Sequence, residues 1–209
     1  SELEKMFNNI IDKKVPILWE DVGYPSLKPL GSWMIDLIKR IEFVGSWLYE
    51  GPPKSYLLPA FFFPQGFMTS SLQTYSRNHK IPIDTLKFKT NVKKEYSQNI
   101  KEAPEDGVNI HGLFLQGARW NVQEGKVADN KKGELFFEIP VIWLEPVLEG
   151  KTDDERAYKC PLYKTSLRKG ELLTTGHSTN FICYLALHTE QKPEFWINRG
   201  VALLCQLDD

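Results

Sequence analysis

With 209 residues, the chain has room for one domain or two small ones. Its 42% hydrophobic and 25% charged residues mark a folding composition and exclude wholesale disorder. Lys+Arg of 26 against Asp+Glu of 27 gives a net charge of -1, so there is no basic field for nucleic acid and no polybasic run for an anionic membrane.

Residues 3–13 read as a short amphipathic helix, with Leu3, Phe7, Ile10 and Ile11 at helical spacing. Val15-Pro16 ends it, because a residue before proline is pushed out of the α region. A loop rich in proline and aromatics is expected from Trp19 to Pro29. The clearest helix spans about 30–50, where Leu30, Met34, Leu37, Ile38, Ile41, Val44 and Leu48 recur at three- and four-residue steps. Gly51-Pro52-Pro53 stops it. A third helix is expected from Pro64 to His79, with Met68, Leu72 and Tyr75 on one face and Ile81-Pro82 beyond it.

Beyond residue 82 the period falls to two. Leu86, Phe88, Thr90 and Val92 alternate with Lys87, Lys89, Asn91 and Lys93, as in a half-buried strand. Strand-like runs follow at Val108–Leu115, Leu135–Leu144, Tyr158–Leu167, Phe181–His188 and Gly200–Leu207, separated by turn-rich stretches. Pro140 and Pro161 fall inside two of them and are expected at a bulge or an unpaired edge. These features predict an α+β protein: a helical part over 1–82, then a six-stranded antiparallel β-barrel over 83–209, closed so that no edge is exposed.

The longest apolar run, Leu57 to Phe63, is far short of the roughly 20 residues that span a bilayer. Ser1-Glu2-Leu3-Glu4-Lys5 has no basic start and no apolar h-region, which predicts a fragment of a longer protein rather than a signal peptide. Cys160, Cys183 and Cys205 are odd in number and widely spaced in apolar surroundings, which predicts buried reduced thiols and an intracellular setting. The sequence has no Asn-x-Ser/Thr acceptor.

Three segments come close to catalytic motifs. Glu145 to Thr152 ends in Gly-Lys-Thr, but it has Glu145 where a phosphate loop needs glycine, and Pro146 lacks an amide hydrogen. Gly112 and Gly117 have phosphate-loop separation, but Ala118-Arg119 follows; the glycines fit a bulge or a close strand approach better. Gly176-His177-Ser178-Thr179-Asn180 is one residue from a nucleophile elbow, yet a strand rather than a helix is expected after it. His79, His111, His177 and His188 are scattered, and Asp153-Asp154-Glu155 lacks the spacing of a calcium loop. Neither a catalytic, a cofactor nor a metal site is expected.

Longer stretches are more specific. Tyr24-Pro25-Ser26-Leu27-Lys28-Pro29-Leu30 with Trp33, Phe61-Phe62-Phe63-Pro64-Gln65-Gly66-Phe67, and Ile110 to Trp120 resemble the extreme C-terminal region of axonemal dynein heavy chains. So do Cys160 to Thr165, Thr174 to Phe181 and Arg199 to Cys205, in the same order along the whole sequence. The resemblance implies a region of helices and a small β-barrel lying across one face of an AAA+ ring. The parent would be the ATP-driven, minus-end-directed microtubule motor of the cilium axoneme, in the cytoplasmic cytoskeleton. ATP and Mg²⁺ would be bound by that parent and not here. Intermediate chains, light chains and microtubules would be reached through it.

A five-turn apolar stripe has too much greasy surface to stay in water. Trp33, Leu37, Ile41, Trp47 and Tyr49 are therefore the candidate residues for docking on the ring, large aromatics being the usual anchors of interfaces. Two other readings stay open at this point: a free-standing barrel that binds a ligand or protein, and a purely structural lid.

Overall fold

A computed structural model describes residues 1–24, 26, 28–150, 156–168 and 180–207. Lys151, Thr152, the acidic run at 153–155 and residues 176–179 of the elbow-like segment lie outside the described residues. The protein forms two compact units, with Ser1–Pro52 in the first and Pro53–Gln206 as the second. The division expected at residue 82 follows the change of period, whereas the units part at Pro52; the helix at 64–79 belongs with the sheets.

The described residues of the first unit form three helices: α1 (Glu2–Ile11), α2 (Ile17–Val22) and α3 (Leu30–Glu50). At the start of α1, Ser1 Oγ accepts from the Glu4 amide while the Glu4 carboxylate accepts from Ser1 N, a reciprocal capping box. It ends at Ile11, two residues short of the expected Lys13, whose φ of 57° is left-handed. The loop expected from Trp19 to Pro29 begins inside α2, whose six residues lie between Pro16 and Gly23, so its first four residues are helical. The span expected for α3 is the span observed; its N-cap is Pro29 and it ends at Gly51, where φ is 95°.

The second unit opens with β1 (Tyr56–Leu57), a 3₁₀ turn and α4 (Pro64–His79), whose C-cap Lys80 is left-handed. The strands that follow are β2 (Leu86–Val92), β3 (Val108–His111), β4 (Phe114–Gln116), β5 (Arg119–Asn121), β6 (Lys126–Ala128), β7 (Phe136–Glu138), β8 (Ile142–Leu148), β9 (Ala157–Tyr163) and β10 (Phe181–His188). Helix α5 (Pro193–Asn198) then precedes β11 (Ala202–Leu204).

The strands do not make one closed six-stranded barrel. They form a four-stranded sheet in the order β1-β3-β8-β2, a five-stranded sheet in the order β10-β9-β11-β4-β7, and the hairpin β5-β6. Two pairings are parallel, β1 with β3 and β11 with β9, and α5 interrupts the expected strand series. The runs expected as single strands break in two. Val108–Leu115 splits at Gly112, and Leu135–Leu144 splits around Pro140, so β3 and β8 serve the first sheet while β4 and β7 serve the second. Gly112 has φ 82°, and a Cβ there would stand 2.6 Å from Leu57 Cδ1, so the backbone turns at this point only with glycine. Pro140 offers no amide to continue a ladder. The sheets approach along β2 and β10, where Thr90 Oγ1 accepts from the Ala186 amide at 3.2 Å in place of a ladder.

Pro161 and Pro146 sit inside strands because of hydrogen-bond phase. Thr189 N donates to Arg156 O, which places Pro161 opposite Tyr184 in a non-hydrogen-bonded pair. Glu149 N donates to Thr85 O, which does the same for Pro146 opposite Phe88. Neither proline removes a bond from that ladder. On their other sides β11 begins pairing only at Leu162, and β3 ends at Leu144.

The core of the second unit is built from Leu58, Ile110, Leu113, Leu115, Ile142, Leu162, Leu185 and Leu203, with Trp196 in the same cluster. Each such side chain stabilises the fold by about 1.5–3 kcal/mol through burial. Two polar atoms beside them are paired: Trp196 Nε1 donates to Thr189 Oγ1 at 2.8 Å and Tyr158 Oη to Val201 O at 2.7 Å.

Candidate docking surface of the helical unit

The first unit has a small core of its own. Val15, Tyr24 and Trp33 are buried together, with Trp19, Leu30 and Leu37 packed against them. The Trp33 indole stacks on Trp19 at 6.4 Å between centroids and lies 5.5 Å from Tyr24. Its Nε1 donates to Tyr24 O at 3.2 Å, so the aromatic fills space without leaving an orphaned donor. The Tyr24 hydroxyl donates to Asp36 Oδ2, Arg40 Nε donates to that same oxygen at 2.7 Å, and the Arg40 guanidinium sits 4.3 Å from the centre of the Tyr24 ring. Burial, reinforced by the Asp36 carboxylate, pushes the Tyr24 hydroxyl well above the ordinary tyrosine range.

This core uses one side of α3 and leaves the other in solvent. Met34, Ile38, Ile41, Val44 and Leu48 recur at three- and four-residue intervals and are all exposed. Leu3, Phe7, Ile10 and Ile11 make a second exposed apolar stripe on α1.

The residues expected to dock divide accordingly. Trp33 is 3% exposed and belongs to the unit's interior, because its indole is held by Tyr24 and Trp19. Leu37 is half-buried against the same cluster. Trp47 is half-buried 6.0 Å from Phe43. Ile41 at 62% and Tyr49 at 85% exposure are surface residues. Spacing along α3 does not distinguish these situations, and it misses Tyr24, Asp36 and Arg40. The four-residue step from Asp36 to Arg40 is a legible ion-pair signal on a helix. The apolar stripe of α1 reads in the sequence as a helix marker, not as a surface.

The near-motifs take ordinary structural roles where they are described. Glu145 to Leu148 lies in β8, and Gly112 to Arg119 runs through β4 into β5. Asn180 accepts from the Thr165 amide at 3.0 Å and donates to Thr165 Oγ1 at 2.9 Å. His79 pairs with Asp106 at 2.9 Å and His111 Nδ1 shares a 2.8 Å hydrogen bond with Ser55 Oγ. Among the described residues, no three His, Cys, Asp or Glu side chains cluster to hold a metal. Cys160 and Cys205 are buried cysteines outside any disulfide, and Cys183 is a half-buried one whose pKa burial lifts to about 12. None of the described helices is long and apolar enough to cross a membrane.

The mixed α+β module therefore carries an exposed apolar stripe on α3, the kind of surface that packs against another surface. The family model for the C-terminal domain of the dynein heavy chain matches residues 1–205, and the protein belongs to that family. It is 46% identical over 207 residues to dynein axonemal heavy chain 1 of Mus musculus and 47% identical over 208 residues to dynein axonemal heavy chain 12 of Rattus norvegicus. Dynein axonemal heavy chain 6 of Homo sapiens is 43% identical over 228 aligned positions. These matches cover 99–100% of the 209 residues but only 5–7% of the relatives.

Proposed function

We propose that these residues form the non-catalytic C-terminal module of an axonemal dynein heavy chain, and that the module packs across the AAA+ ring of that heavy chain and modulates its mechanics. The observation that carries the reading is the division of labour on α3. One side is committed to the unit's own core through Trp33, while Met34, Ile38, Ile41, Val44 and Leu48 remain exposed along the helix. A contiguous apolar stripe of this length marks an interaction surface. A strut docked on ring modules would restrict their relative motion during the nucleotide cycle and so alter force or run length. The parent motor would supply the ATPase, its ATP and Mg²⁺ sites and the contacts to microtubules and to intermediate and light chains, and would place the module in the cilium axoneme.

Deleting these residues from the parent motor tests the reading. Run length or stall force should change more than basal ATP binding. Unchanged mechanics at normal expression would overturn it, and would leave the purely structural lid.

A further inference from the structure

We draw no further inference here: the strongest candidate, the aromatic surface patch that Phe62 and Phe63 expose just ahead of α4 in the second unit, carries nothing because no feature of the structure shows what covers it.

Discussion

The Tyr24 hydroxyl donates to the Asp36 carboxylate, twelve residues further along the sequence, and Arg40 donates to the same oxygen from one helical turn further on. The three side chains tie the segment before α3 to the face of α3 that carries Trp33. Removing different members has different costs. The Arg40 side chain is only 6% exposed, so Asp36→Ala would take the carboxylate from a buried guanidinium beside Tyr24 and should cost about 3 kcal/mol. Tyr24→Phe keeps the ion pair and should cost about 1 kcal/mol. Urea unfolding of the two variants checks the order, and a larger loss for Tyr24→Phe would contradict it.

Acid should weaken the second unit through His111. Burial depresses its pKa to about 4, against about 6.5 in the unfolded state. The folded state therefore prefers the neutral ring. Its contribution is complete above about pH 6.5 and is lost as pH falls toward 4, a change of about 3 kcal/mol. Stability measured across that window should fall in the parent protein, and the His111→Gln variant should show a flatter profile. Identical profiles would rule out His111 as the source.

Two glycines with similar backbone angles should respond differently to alanine. Gly107 has φ 76° and Gly133 has φ 83°. A Cβ at Gly107 would stand 2.1 Å from Leu144 O, whereas at Gly133 it would meet nothing within 4 Å. Gly133→Ala should cost about 1 kcal/mol from conformation alone. Gly107→Ala must also displace the backbone of β8 and should cost about 3 kcal/mol or more. Equal losses in thermal or urea unfolding would contradict the close approach.

Alkaline pH should loosen both units through their buried tyrosines. Burial raises the pKa of Tyr24 in the first unit and of Tyr158 in the second. Both are favoured as neutral phenols in the fold, so their contribution should be constant below about pH 10 and fall above it. Tyr24→Phe should remove part of that fall, measured by unfolding at pH values of about 9 and 11 on either side of the ordinary tyrosine pKa.

Legibility in the sequence followed length and locality. The spans of α3 and α4 are readable because an apolar period sustained over several turns has no strand equivalent. The six residues of α2 and of α5 are too few to show a period, and the two residues of β1 pair in parallel with β3, far along the sequence. The hairpin of β5 and β6 does leave a local trace: Asn121 Oδ1 accepts from the Gln123 and Glu124 amides, and Gly125 follows with φ 66°. Closure of a barrel is a non-local property, and the expectation fails where Gly112 and Pro140 turn two runs from one sheet into the other. On α3, the apolar stripe shows that a surface exists. Which aromatic turns inward depends on Tyr24, which lies outside any helix, and no periodicity reports that partner.

The central claim is that the exposed side of α3 docks on the ring, and its most direct test is a titration of the 209-residue protein against a dynein ring truncated just before this region. Ile41→Asp/Leu48→Asp alters two exposed positions and should change folding stability by no more than about 0.5 kcal/mol per site. The parent protein should bind saturably, and this variant should bind at least roughly tenfold more weakly. A folded protein that fails to bind, or a variant that binds equally well, would contradict the claim.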